Sequence, residues 1–169
     1  MRLIPSIIAL AAAFLGGCKS APPAELSSVF IEVPAAQAMP GSEPVKLPVS
    51  GLPLFVAPKA VVMAEKIAQV AVVTAGDNDL RQHYVMVTLD GSGTQDLALL
   101  SRDAGGRSLV LVIGSEAVGI MRMDRPIGDG RIFFHVEQRG MSNAEAAFAV
   151  AGRIEKMIAA IAKAKDRSL

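Results

Sequence analysis

The thiol of Cys18, the one cysteine in the chain, has a sequence context that predicts acylation rather than redox or metal chemistry. It follows a single arginine at position 2, an apolar run at 3–14, and Leu-Gly-Gly at 15–17. Such a run, with small residues before the cysteine, is typical of a secretion signal that a peptidase removes. The run is shorter than the roughly 20 apolar residues that span a bilayer. We therefore predict a lipoprotein signal peptide at 1–17, with a covalent diacylglycerol and an N-acyl chain such as palmitate on Cys18.

This lipid anchor predicts a membrane-attached protein in the bacterial envelope, facing the periplasm. Lys19 rather than Asp follows the cysteine, which in proteobacterial sorting favours the outer membrane over the inner membrane. Once Cys18 is acylated, no thiol remains for a disulfide, for nucleophilic catalysis or for a thiolate metal site. The alternative interpretations are a short transmembrane anchor and an ordinary secreted protein with an unmodified cysteine.

Two methionines and a histidine are the side chains that could bind a metal ion. Met121 and Met123 leave the same face of a predicted strand, and His135 lies on the next strand. Thioether sulfur selects Cu(I). The three side chains converge only if the register places Met121 opposite His135, whereas a register with Ile120 there separates them. Methionine on a strand face is more often part of a core, so copper binding is the alternative function.

The sequence contains no arrangement of residues that predicts catalysis. Gly-Ser-Gly at 91–93 lies between a strand and a helix, as a phosphate loop does, but no Gly-Lys follows, and Asp96 would repel a phosphate. A Gly-x-Ser-x-Gly motif is absent. His83 and His135 are about 50 residues apart and have no further metal ligands at close spacing. We therefore expect a protein that is not an enzyme and that has no cofactor besides its lipid.

The loop that begins at Arg122 and ends at Arg131 is the predicted contact with a partner. These two arginines and Arg125 surround the apolar pair Pro126-Ile127. Guanidinium groups around an exposed isoleucine could bind a peptide or an envelope protein. An exposed sheet edge could also recruit an extended peptide by strand addition. The alternative for the loop is a solvated turn with Ile127 directed into the core.

The composition excludes some classes of ligand. The chain has 17 Lys and Arg residues against 16 Asp and Glu residues, so it lacks the basic excess of a nucleic-acid-binding protein. Its aromatic residues are six Phe and one Tyr, with no Trp. Stacking surfaces for sugars or single-stranded nucleic acids are therefore poorly supplied. We expect the partners to be the membrane, through the lipid, and a protein or peptide of the envelope.

Proline content divides the mature chain into two parts. Eight of the ten prolines lie between positions 22 and 58. Because proline removes backbone donors and favours extended chain, we predict a Pro-rich tether at 18–52 and a folded domain at 53–164. A β-prone run at 28–33 could add a strand to the edge of the domain. The alternative is that the tether wraps over the folded domain.

Alternating and helical apolar patterns after residue 53 predict an α+β fold. Strands are expected at 54–56, 67–74, 83–89, 108–113, 116–123 and 131–137. Two helices are expected, each after a capping box: one opened by Ser92 with Gln95, the other by Ser142 with Glu145. This order predicts a mixed or mostly antiparallel sheet of about five strands, with both helices on one face.

A series of short motifs runs in a fixed order through residues 54–158. They are Val-Met-Val-Thr-Leu at 85–89, Leu-Val-Leu-Val-Ile-Gly at 109–114, Val-Gly-Ile-Met-Arg-Met at 118–123, Pro-Ile-Gly-Asp-Gly at 126–130, and Ser-Asn-Ala-Glu-Ala at 142–146. In order and spacing this part of the chain resembles the head of the first periplasmic domain of the protein-export subunit SecD. One departure is that Gly119-Ile120-Met121 stands where the family has Ser-Ala-Pro.

The resemblance implies a role in contacting polypeptides or envelope partners rather than a chemical reaction. In the SecD family, proton coupling depends on charged residues in transmembrane helices, and no such helices follow the head-like part of this sequence. The resemblance therefore implies a free-standing, lipid-anchored head without proton-coupled translocase activity.

Overall fold

The computed structural model describes residues 25–77 and 80–167, so that Cys18 and the predicted signal peptide lie outside the described residues. A six-stranded antiparallel sheet lies at the centre, and a two-stranded sheet and two helices pack against it. The elements in chain order are β1 (Ser27–Ile31), β2 (Glu43–Lys46), β3 (Pro53–Val56), β4 (Ile67–Ala75), β5 (Gln82–Leu89), α1 (Gly91–Asp103), β6 (Ser108–Ile113), β7 (Glu116–Arg122), β8 (Arg131–Val136) and α2 (Asn143–Asp166).

The strand order of the large sheet is β1-β6-β7-β8-β5-β4, and each pair of neighbours is antiparallel. Both helices pack into the same core on one face, here called the inner face. The predicted α+β class and helix placement are confirmed. The sheet has six strands rather than about five, because β1 joins it.

Strand β6 is buried on both faces and separates two apolar cores. Leu109 and Leu111 pack into the larger core with the helices, whereas Val110 and Val112 pack against the β2–β3 hairpin. This follows from the alternation of side chains along a strand, and a strand covered on both faces can be apolar throughout. The hairpin thus covers the opposite face of the sheet, the outer face, over β1, β6 and β7.

The prediction that 18–52 forms a tether does not hold for its described part, residues 25–52. β1 pairs with β6 along its whole length, and β2 pairs with β3. Leu47, between β2 and β3, is 2% exposed. The prolines are tolerated because β2 and β3 form a two-stranded sheet in which each strand is an edge. The folded domain therefore begins before residue 53.

Glu25 fixes the point at which the chain enters the domain. Its carboxylate accepts hydrogen bonds from the Arg153 guanidinium on α2, at 2.7 and 3.0 Å. The next carbonyl, of Leu26, accepts the backbone N–H of Gly114 at 2.9 Å. Gly114 lies in the turn between β6 and β7, so the first described residues are held against this turn and α2.

The two helices begin differently. The predicted capping box opens α2: the Glu145 N–H donates to the Ser142 hydroxyl at 3.3 Å, and the Glu145 carboxylate accepts the Ser142 N–H at 2.8 Å. This backbone bond from Ser142 lowers the pKa of Glu145. In α1 the capping residue is Asp90, not Ser92 as predicted, and its carboxylate accepts the Gly93 N–H at 2.7 Å. An ionised carboxylate is a stronger acceptor than a hydroxyl at the positive end of a helix.

Candidate binding cleft

Strands β7 and β8 are neighbours but pair over only two residues. The register pairs are Gly119↔Val136 and Ile120↔His135. Beyond them, β7 stays paired with β6 as far as Arg122, while β8 stays paired with β5 back to Arg131. The two strands therefore diverge, and a wedge-shaped opening forms in the sheet between them.

This opening is a cleft of about 480 Å³. Strand ends and the β7–β8 loop form its walls, and the predicted partner-contact residues all lie along it. The lining residues are Met121, Arg122, Asp124, Arg125, Pro126, Ile127, Gly128, Asp129, Arg131 and Phe133. The segment singled out from the sequence thus lines this cleft, and the structure changes two details of its description.

Ile127 is the first correction, because it is not an exposed residue at the loop tip. It is 6% exposed and belongs to the inner core. Its backbone N–H donates to the Ser101 hydroxyl on α1 at 2.9 Å. The alternative interpretation, with Ile127 turned inward, is the one observed, so Ile127 anchors the loop and contributes only the floor of the cleft.

Phe133 is the second correction, since the sequence prediction omitted it. It lines the cleft and is 41% exposed, whereas its neighbour Phe134 is fully buried. A signal was present in the sequence: Phe133 shares the period-two positions of Arg131 and His135, the polar face of an alternating strand. A large apolar residue on an otherwise polar strand face can indicate an interaction site.

Backbone groups of the strands also face the opening. The Leu89 N–H donates to the Gly130 carbonyl, so alternate residues from Gly130 onward direct their backbone groups toward β5. The intervening residue Phe133 therefore directs its N–H and C=O toward β7. On β7, the Val118 carbonyl accepts the Glu137 N–H. Every second residue from Val118 therefore directs its backbone N–H and C=O toward β8, and Arg122 is one of these residues. Both walls of the wedge thus present backbone groups suited to hydrogen-bond an extended chain.

The loop that closes the wide end of the wedge is held firmly. Gly130 has φ of 68°, and a Cβ atom there would collide with Thr94 of α1. At the other end of the loop, Met123 exchanges backbone hydrogen bonds with Gly106 and Arg107, at 2.8 and 2.9 Å. A cleft with such anchored walls loses little conformational freedom when it binds a ligand.

The rim of the cleft carries three cations and two anions. Arg122 forms an exposed ion pair with Asp124 at 3.3 Å. Asp129 accepts the backbone N–H of Arg131 at 3.1 Å. Among the described residues, no ion pair or hydrogen bond engages the guanidinium groups of Arg125 and Arg131. These two groups are available to carbonyl or carboxylate oxygens of a ligand.

Comparison with solved structures finds a likeness to SecDF. One structure, described as a membrane component SecDF that enhances protein export, superposes with a TM-score of 0.53 at 12% identity, over 77% of this chain and 61% of that one. A second, SecDF in a super-membrane-facing form, gives a TM-score of 0.53 at 14% identity, over 77% of this chain and 18% of that one. The likeness shows the fold alone.

The chain therefore has a SecD-like fold and spans less than two thirds of either SecDF structure. No protein-family model matches the sequence, and no curated protein matches it significantly. Within residues 25–77 and 80–167, no helix is long and apolar enough to cross a membrane.

The proposed copper ligands do not converge in this SecD-like fold. His135 lies opposite Ile120, so the register is the one that separates it from Met121. Met121 pairs with Leu109 on the inner face, and Met123 is fully buried in the inner core. On the outer face, the His135 ring contacts Tyr84 edge-on, with ring centroids 6.2 Å apart. Neither methionine sulfur shares a face with the His135 imidazole.

Proposed function

We propose that this protein is a non-catalytic, polypeptide-binding module of the bacterial envelope. A lipid on Cys18 holds it at the membrane, with the outer membrane favoured, and it has no proton-coupled translocase activity. The observation that carries this proposal is the wedge between β7 and β8, where free strand edges, an exposed aromatic ring and unpaired guanidinium groups meet. The SecD-like fold supports it, since SecDF is described as enhancing protein export.

The ligand that suits this wedge is an extended polypeptide segment. Its main chain would hydrogen-bond the backbone of Phe133 and Arg122, as in strand addition. An apolar side chain of the segment would lie on the Phe133 ring, and its carbonyl oxygens or C-terminal carboxylate would bind Arg125 and Arg131. Most of these contacts are with the backbone of the ligand rather than with its side chains, so the site would bind unfolded segments of many different sequences.

Site-specific photo-crosslinking in living cells tests this function. The photoreactive amino acid replaces Phe133 in one variant and Arg125 in another. The matched control is Leu99, which is 62% exposed on α1 and does not line the cleft. We expect polypeptide adducts at both cleft positions and a much weaker signal at Leu99. Equal labelling at all three positions, or none at the cleft, would refute the proposal.

A further inference from the structure

Strand β4 forms an edge of the sheet and lacks the usual protection against pairing with another strand. It runs for nine residues, Ile67–Ala75, with no charged residue and no proline. It is the last strand in the sheet order, and β5 is its one partner among the described residues. Natural edge strands are commonly shielded by charges, proline or a short length. A bulge between Ile67 and Gln69 is the one irregularity, and it leaves residues 70–74 regular.

The register shows which backbone groups of this edge point outward. The backbone N–H of Leu89 points toward β8. Met86 and Tyr84, at the intervening positions of β5, therefore direct their backbone groups toward β4, where they pair with Ala71 and Val73. The intervening residues Val70, Val72 and Thr74 direct their N–H and C=O groups away from the sheet. Three alternate residues thus offer an unpaired hydrogen-bonding edge.

Helix α2 extends this edge into a second layer. Phe148, 63% exposed, lies near the C-terminal end of β4, since its ring is 6.5 Å from that of His83, which pairs with Thr74. Ile158 and Ala162 line a shallow pocket with Ile67 at the other end of the strand. Phe148, Ile158 and Ala162 lie on one helical row, which also carries the exposed Glu155 at its centre, so this flank of α2 runs beside the edge of β4 and is apolar mainly at its two ends.

We infer that β4 and this flank of α2 form a homodimer interface, in which a second copy pairs antiparallel through a two-fold axis at Val72. Because the two-fold axis is perpendicular to the sheet, the two sheets join edge to edge and their inner faces lie on the same side of the combined sheet. Strand therefore meets strand, and helix meets helix. Val72 lies opposite the partner's Val72, and Val70 lies opposite the partner's Thr74.

A second copy fits this surface better than a lone peptide does. A peptide strand would satisfy the edge of β4 but would leave Phe148 and Ile158 uncovered, whereas the partner's α2 covers them. Two exposed apolar residues flank the strand, Met63 before it and Leu80 after it. The antiparallel two-fold brings the Met63 end of one copy to the Leu80 end of the other.

The size of the surface is sufficient for a specific contact. Nine strand residues extend about 30 Å, and a sheet edge with one helix layer is about 20 Å deep. The two copies would then bury about 1,200 Å² in total, the lower end of the range for stable interfaces. This interface lies at the far edge of the sheet from β1 and is separate from the β7–β8 cleft.

Disulfide trapping in the full-length, membrane-attached protein tests the dimer. Val72→Cys places two thiols across the axis, with Cα atoms about 5.5 Å apart, within disulfide range. The matched control is Ala75→Cys on the same edge, where the two cysteines would be about 20 Å apart. We expect a reducible dimer for Val72→Cys and very little for Ala75→Cys or the unaltered chain.

The opposite results would overturn the inference. Equal trapping at positions 72 and 75 would show random collisions, and no trapping at 72 would show that the edge does not pair with itself. Phe148→Asp in the Val72→Cys background adds a second readout, since a charge on the helix flank should lower the dimer yield several-fold. An unchanged yield would exclude the helix layer and favour a strand-only contact, against the proposed two-layer interface.

Discussion

His135 lies directly opposite Ile120, and this is the last register pair before β7 and β8 separate. The pair therefore has two consequences for function. It places His135 and Met121 on opposite faces of the sheet, which disperses the candidate copper ligands. It also marks the closed end of the wedge, beyond which the strand edges are free for another chain.

Phe133 and Phe134 provide a test that separates binding from folding. Phe133→Ala should reduce adduct formation by a photoreactive residue at position 125 and leave stability nearly unchanged, because its ring is partly solvated. Phe134→Ala should cost about 3–5 kcal/mol of unfolding free energy, because it opens a cavity in the core. Urea denaturation and crosslinking yield measure the two effects. A large loss of stability in Phe133→Ala would assign that ring to the core instead.

The free guanidinium groups of the cleft should contribute to ligand capture. Arg125→Glu and Arg131→Glu should each lower the crosslinking yield at Phe133 several-fold, because they replace a donor with a charge that repels carboxylate and carbonyl oxygens. Arg102→Glu on α1, exposed and away from the cleft, is the control for net charge. Equal effects of all three changes would indicate a general electrostatic attraction rather than a site.

Replacement of Gly130 should destabilise the fold, while Gly128 in the same loop should tolerate change. Gly130→Ala combines a left-handed backbone with a collision against Thr94, and we expect it to cost roughly 1–3 kcal/mol of unfolding free energy. Gly128 has open space around its Cα, so Gly128→Ala should alter stability by less than about 0.5 kcal/mol. Thermal unfolding of both variants measures this. Similar melting temperatures would show that the loop is not anchored to α1.

Glu137 should make the β2–β3 hairpin sensitive to acid. Its carboxylate accepts the N–H groups of Ser50 and Val49 at 2.8 and 3.0 Å. Burial opposes ionisation, but these hydrogen bonds outweigh it and lower the pKa of Glu137 below its usual range. A lowered pKa stabilises the fold above the unfolded-state value, and this contribution is lost as the pH falls through the folded-state pKa.

The variant Glu137→Gln should therefore be less stable than the unaltered protein at pH 7, by about 1 kcal/mol, and the difference should be smaller at pH 3, because the contribution of Glu137 declines as the pH falls toward its folded-state pKa. Thermal unfolding at both pH values measures the difference. The control is Glu43→Gln, at an exposed position on the same hairpin, which should leave the stability at pH 7 nearly unchanged. A constant difference between Glu137→Gln and the unaltered protein across this range would contradict the assigned role.

Cys18→Ser should release the protein from the membrane. Without the thiol no diacylglycerol can be attached, so the chain should move from the membrane pellet to the soluble or unprocessed fraction. Metabolic labelling with a fatty acid measures the modification directly. Labelling that persists in Cys18→Ser would place the lipid on another residue.

Local patterns were sufficient for most elements of the fold. The apolar run of β6 and the capping box of α2 are encoded within a few residues, and both were predicted correctly. The strand β1 was assigned mainly to a tether, because its partner β6 lies some eighty residues later and proline dominates its surroundings. Amino-acid composition indicates how stiff a segment is locally. It does not show whether a distant strand will hydrogen-bond to the backbone of that segment.

The details of the site depended on tertiary contacts that the sequence does not display. Ile127 is buried in the inner core and its backbone N–H donates to Ser101 on α1, and no local pattern specifies that contact. The pairing of His135 with Ile120 is a register between two strands joined by a loop of eight residues, and no local pattern in either strand specifies it. The arginine-rich segment itself was predictable, since its charges and turn residues are adjacent in the chain.

The inclusion of β1 in the sheet also limits how far the domain could lie from the lipid proposed on Cys18. Only seven peptide units separate Cys18 from Glu25, which Arg153 holds against α2. Even fully extended, they would reach about 25 Å. A lipidated Cys18 would thus keep the domain within about its own diameter of the bilayer, so the proposed cleft could contact only polypeptides that lie close to the membrane surface.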